Sequence, residues 1–177
     1  MNLPKRKPNR LKEYDYSSPG MYFITICTKD RKCLLSKIVG TGVLDGPQNL
    51  LSAYGNIADK HIKAMSHFYE DISVEQYVIM PNHIHLLILI TDSITESGLS
   101  RTPVPTTPAS TTRQNSKIAR FVSTFKRFCN KEYKHNIWQA RSHDHVVRDK
   151  SDYARISKYI YENPLVWQYD CFYSEDM

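Results

Sequence analysis

Long apolar runs are missing from this 177-residue sequence. None approaches the roughly 20 residues that a membrane-spanning helix needs, so no transmembrane segment is expected. The opening MNLPKRKPNRLK is basic but leads into no apolar signal core, so a cytoplasmic protein is expected in place of a secreted one. Cysteine is scarce. Cys27, Cys33, Cys129 and Cys171 are scattered, with no Cys-x-x-Cys pair, and read as reduced thiols, not as disulfides or zinc ligands. Acidic residues are absent from residues 1–12, where five basic side chains sit.

Hydrophobic residues make up 41% and charged residues 24%, the balance of a globular chain. The length suits one domain over 1–177 with a core of its own. The net charge of +6 is segregated. The N-terminal arm holds +5, residues 114–150 hold +6, and the remainder is −5. Charge divided this way points to a polyanionic partner.

The basic arm, residues 1–15, is expected to fray. MYFITICT (21–28) alternates and is rich in strand formers, and KCLLSKIV (32–39) reads as a second, shorter strand. TGVLDGPQ (41–48) is turn-rich. A helix is expected from Ser52, with Tyr54, Ile57, Ala58, Ile62 and Met65 on one face. ISVEQYVI (72–79) and HIHLLILI (83–90) read as strands, and the short MPN break makes them antiparallel neighbours. Residues 97–112 contain eleven Ser, Thr or Pro among sixteen and read as a flexible surface loop.

SKIARFVSTFKRFCNKEY (116–133) sets Ile118, Phe121, Val122, Phe125 and Phe128 in an apolar stripe. Lys117, Arg120, Arg127 and Lys131 fall on the other side and read as a phosphate-facing surface. HDHVVR (143–148) is a strand candidate whose histidines read as sheet-edge polar residues or DNA contacts. Arg148 beside it is a candidate phosphate contact. Ser151 is expected to cap a last helix that Pro164 should stop. The order β, α, β, β, α, β, α contains the ferredoxin-like βαββαβ unit. The fold class is therefore α+β, an antiparallel sheet with helices on one face plus a C-terminal helix.

The chemistry lies in VIMPNHIHLLILI (78–90). Strand alternation puts His83 and His85 on one face, roughly 6.5–7 Å apart along the strand. One metal ion can bridge that distance when the imidazoles lean together, and neutral imidazole is a common ligand. Tyr159 and Asn163 are four apart on the last helix and share a face. Tyr161 lies roughly 160° round the helix from Tyr159, so only one of the two can work beside Asn163.

YDYSSPGMYFITICT, QYVIMPNHIHLLI, WQARSHDHVVRD and YIYENP, in this order, resemble the HUH single-strand nucleases and among them the REP-associated tyrosine transposases, a group of single-tyrosine (IS200-like) transposases. The resemblance implies that His83 and His85 hold a divalent ion, Mg2+ or Mn2+, with Asn163 as a third ligand. It implies that Tyr159 is the nucleophile of a metal-dependent endonuclease and strand transferase, forming a 5′-phosphotyrosine. It implies single-stranded DNA beside a hairpin, a repetitive extragenic palindrome (REP), as substrate, with the basic arm and the 116–131 helix as DNA-binding candidates. Monomers are favoured, with a dimer exchanging the last helix as the other arrangement. A non-catalytic hairpin DNA or RNA binding module is the alternative reading. A metal hydrolase built on the histidine pair is a third.

Overall fold

In the computed structural model, which describes residues 14–40, 46–92 and 116–173, two central strands carry the molecule. The loop 97–112 and all of the arm but Tyr14 and Asp15 lie outside the described residues. Strand β1 (Gly20–Cys27) points Tyr22, Ile24 and Ile26 into the core, and Phe23 and Thr25 to the opposite face. Three further strands follow elsewhere in the chain: β4 (Ile72–Ile79), β5 (His83–Ile90) and β6 (His143–Val147). They form one antiparallel sheet in the order β4-β5-β1-β6, the ferredoxin-like arrangement. β5 is buried almost throughout because both of its faces are covered, which is why its sequence reads as a nearly continuous apolar run.

Helix α1 (Ala53–Ala64) and helix α2 (Lys117–Tyr133) cover one face. Their apolar side chains meet Ile24, Ile26, Ile84, Leu86 and Ile88 in the main core. Ser52 caps α1, accepting from the Gly55 amide at 3.1 Å, and Ser116 caps α2 through the Ala119 amide. The α2 stripe continues through buried Cys129 and Tyr133, with Phe128 at its margin. At Gly55 a Cβ would stand 2.0 Å from the Leu35 carbonyl oxygen, so glycine allows the start of α1 to approach the chain before β2. The expected strand at 32–39 is shorter than the sequence suggests. It is β2 (Ser36–Val39), and it pairs only with β3 (Gln48–Leu51) in a separate two-stranded sheet.

The last helix, α3 (Lys150–Glu162), covers the other face of the sheet. Ile156 and Ile160 pack on Leu87, Phe23, Val78 and Val147. Tyr153 stays 40% exposed, so the docking seam narrows to the two isoleucines. Gln76, at a register shift in β4, exchanges hydrogen bonds with Ser157, and His145 on β6 pairs with Asp152 in the first turn. The cap is Asp149, not Ser151: its carboxylate accepts from the Asp152 amide at 2.8 Å, and Ser151 falls inside the first turn. Pro164 ends the α-helix without ending helical geometry. Asn163 keeps φ −53 and ψ −43, and the chain tightens into a 3-10 turn over Asn163–Tyr169 with the proline in its first positions. A proline is tolerated there because the missing N–H would have no partner in a first turn. Among the described residues no helix is long and apolar enough to cross a membrane.

Candidate active site

His83 and His85 leave β5 on the face that α3 covers, opposite Cys27 and Thr25 of β1. They are 0% and 1% exposed. Their Nε2 atoms are 3.0 Å apart, and each Nδ1 has its own partner at 2.9 Å: Asn82 Oδ1 for His83, Thr25 Oγ1 for His85. The Asn82 amide is oriented by its Nδ2, which donates to the carbonyls of Arg31 and Phe172. Its Oδ1 must therefore accept the His83 Nδ1 proton, which leaves His83 Nε2 as a lone pair. His85 can donate from its own Nε2 to that lone pair while Thr25 donates to Nδ1. When a cation takes both Nε2 lone pairs, the Thr25 hydroxyl can turn and accept instead.

Burial depresses the basicity of both rings. His83 is pushed down to about 4, with the Asp170 charge opposing the shift, and His85 lies well below its usual value, with the charge of His83 adding to the effect of burial. Both are neutral at pH 7, the form a metal ion binds. Cys27, opposite His83, is outside the group of ligand atoms, and burial raises its thiol to about 11. None of the four cysteines forms a disulfide.

Helix α3 and the turn after it close the site. The Tyr159 ring lies 5.1 Å from the His85 ring, and its hydroxyl donates to Asp170 Oδ2 at 3.0 Å. Asn163 Nδ2 donates to the same oxygen at 2.8 Å. Asn163 is fully buried, and its Oδ1 has no protein hydrogen-bond partner. Ligand atoms of His83, His85 and Asp170 all lie within 4.8 Å of one another. Two neutral imidazoles and a carboxylate make a mixed donor set that fits a divalent ion. The oxygens harden a pair that alone would favour zinc-like metals. Burial, then the charge and hydrogen bond of Asp170, hold the Tyr159 phenol well above its usual range. Tyr161 is 76% exposed and faces away, as helical geometry requires.

Asp170 is the residue that sequence reasoning missed. Its only signal was an acidic side chain shortly after the YIYENP block. The basic residues expected to hold DNA divide between two places. Arg120, Arg127 and Lys131 are exposed on α2, across the sheet from the histidines, and Lys117 is tied to Asp71. Arg148 is exposed at the β6–α3 junction. β6 is an edge strand, so His143 and His145 lie at the sheet edge. Its register, Thr25 to His143 and Phe23 to His145, places both on the site face.

No family model matches the chain. An uncharacterised protein of Haemophilus influenzae is 32% identical over 174 residues, covering 95% of this chain and 93% of that protein. A second Haemophilus influenzae protein, provisionally named a REP-associated tyrosine transposase, is 27% identical over 171 residues, covering 91% of this chain and 84% of its own length. Among solved structures, a REP-associated tyrosine transposase bound to a REP hairpin superposes with a TM-score of 0.59 at 17% identity, covering 96% of this chain and 76% of the other. That likeness carries the fold, and the sequence relationships extend it along nearly the whole chain. The chain belongs to the REP-associated tyrosine transposase family.

Proposed function

We propose that the protein cleaves and rejoins single-stranded DNA beside a hairpin, using Tyr159 as nucleophile and a divalent ion held by His83 and His85. The observation that carries this reading is Asp170. One carboxylate joins the phenol of Tyr159, the amide of Asn163 and the histidine pair in a single cluster, its imidazoles and amide buried and its phenol and carboxylate half-buried. A structural role alone gives little reason to gather two buried neutral imidazoles, an orphaned amide oxygen and a phenol around one carboxylate.

His83 and His85 would hold the ion, with Asp170 and the free Oδ1 of Asn163 completing the protein's donor set. Bound there, Mg2+ or Mn2+ supplies positive charge that neutralises a phosphate oxygen and stabilises the charge of the transition state. Asn82 and Thr25 fix the two rings so that both Nε2 atoms face the same point. The Tyr159 oxygen attacks phosphorus while its proton moves toward Asp170, the acceptor already in place. In the metal-free protein burial and Asp170 hold the phenol up, which favours passing its proton to Asp170 as the attack proceeds. The P–O3′ bond breaks, and the leaving oxygen takes its electron pair and a proton from solvent water to become a 3′-OH, while Asp170 returns the tyrosine proton to solvent. The 5′-phosphate stays on Tyr159. No phosphoester energy is lost, so a second 3′-OH can reverse the step.

The hairpin is proposed as partner because the superposed relative was captured with one. Arg148 offers a phosphate contact at the β6–α3 junction. Arg120, Arg127 and Lys131 offer a second basic surface, and Lys117, already paired with Asp71, is the weakest of the set.

The test is a denaturing gel of hairpin oligonucleotides with single-stranded flanks, incubated with Mn2+ and protein. A protease-sensitive, slower band is expected for wild type and absent for Tyr159→Phe and His83→Ala. A band that survives Tyr159→Phe would assign another nucleophile. Binding without any band would leave the hairpin-binding module as the better reading.

A further inference from the structure

Phe172 sits in the site without belonging to a hydrophobic cluster. Its ring packs 4.6 Å from the His83 ring, and the Arg31 guanidinium lies over it at 5.1 Å. The His85 ring lies 6.0 Å away on the same side of the sheet. The surroundings of Phe172 are thus a cation and two imidazoles, flat groups that stack on aromatic rings.

The edge of this slot is polar. Asn82 Nδ2 donates to the Phe172 carbonyl at 2.8 Å, and Arg31 Nη1 donates to the Cys171 carbonyl at 3.1 Å. Both acceptors are backbone oxygens of a segment near the C-terminus. Both donors would face an empty slot if that segment swung out.

Arg31 is held in place by a constrained loop. Asp30 and Arg31 have φ of 57° and 55°, two successive non-glycine residues in the left-handed region. Thr28 and Asn82 hold that loop: the Thr28 amide and hydroxyl both reach the Asn82 carbonyl, and Asn82 Nδ2 reaches the Arg31 carbonyl. The residue that orients His83 therefore also fixes the loop that carries Arg31.

We infer that this slot, walled by Arg31, His83 and His85, is a nucleobase subsite that Phe172 fills in the DNA-free protein. A base would stack where the phenyl ring lies and offer carbonyl oxygens, such as pyrimidine O2 or guanine O6, to the donors of Asn82 and Arg31. The inference rests on the proposed DNA-cleaving role, since it places a nucleotide of the single strand next to the reacting phosphate.

The test measures fluorescence anisotropy of hairpin oligonucleotides in EDTA, where cleavage does not compete. Single-stranded flank positions are made abasic one at a time. Phe172→Ala should bind the intact oligonucleotide more tightly than wild type. One abasic position should weaken Phe172→Ala by about ten-fold, the scale of one stacked base. Adding Arg31→Ala should abolish that sensitivity, and Arg31→Gln gives the same reading should the alanine variant not fold. Equal weakening by Arg31→Ala on every oligonucleotide, abasic or not, would identify a phosphate contact and overturn the subsite. So would an affinity indifferent to Phe172→Ala and to every abasic position. The adduct gel separates the two readings: an adduct without an abasic-sensitive position removes the subsite alone, and a sensitive position without an adduct removes the nuclease alone.

Discussion

Burial of the histidine pair should make the metal-free protein acid-sensitive above the range of its carboxylates. His83 titrates at about 4 in the fold, against about 6.5 in an unfolded chain. As pH falls below about 6.5, the unfolded chain takes up a proton that the folded chain refuses, at about 1.4 kcal/mol per pH unit for each such histidine. The stabilisation is complete above the unfolded value and is lost as pH falls toward the folded one. Between about pH 6.5 and about pH 5, His83 alone should remove about 2 kcal/mol. His85, shifted the same way, adds to it. Domains of this kind hold only about 5–15 kcal/mol, so the loss is readable. Asp152, held at about 2 first by its hydrogen bond to His145, stays out of the window. Its contribution is lost only below the unfolded aspartate value of about 3.9. Urea denaturation in EDTA, followed by the fluorescence of buried Trp138 and Trp167, measures the slope. His83→Gln should flatten it by about one proton. A wild-type stability that does not change over this window, or an equal slope in His83→Gln, would refute the buried neutral pair.

Asn82→Ala should lower Mn2+ affinity by about 10–100-fold in calorimetry, because His83 loses the partner that sets its tautomer. Asp170→Asn should weaken Mn2+ binding and move the Tyr159 phenol back toward its usual range in an ultraviolet titration of the metal-free protein, since it removes the second-largest cause of the shift. Ile160→Ala should lose about 2–5 kcal/mol in thermal or urea denaturation and abolish the covalent adduct, because α3 docks through a small cluster. Gly55→Ala should destabilise by about 3 kcal/mol or more in the same assay, as its Cβ would meet backbone, not a movable side chain.

The legible parts of the fold were those with a strong period. β5 announced itself as a buried strand, and two histidines one residue apart within it had to share a face. The α2 stripe gave a helix and its buried side. It could not give the face of the sheet that α2 covers, so its basic residues ended up across the sheet from the histidines they were expected to serve. The four-residue strands β2 and β3 are half polar, too short and mixed for any period to show their pairing. Asp149 and Ser151 are both good capping residues, and only the geometry of the first turn separates them. Asp170 escaped because it follows a 3-10 turn, where neither the 3.6-residue nor the 2-residue period says which side chain points inward.

Helix α3 follows β6 after a short connection and docks on the sheet of its own chain, over its own histidines. In genetic terms the proposed reaction centre, if built by one chain, is an indivisible unit. An allele lacking Tyr159 and an allele lacking His83, expressed together, should then fail to complement each other, and complementation would show that chains exchange α3. A defective copy should also leave an intact copy untouched, so loss of the site would be recessive.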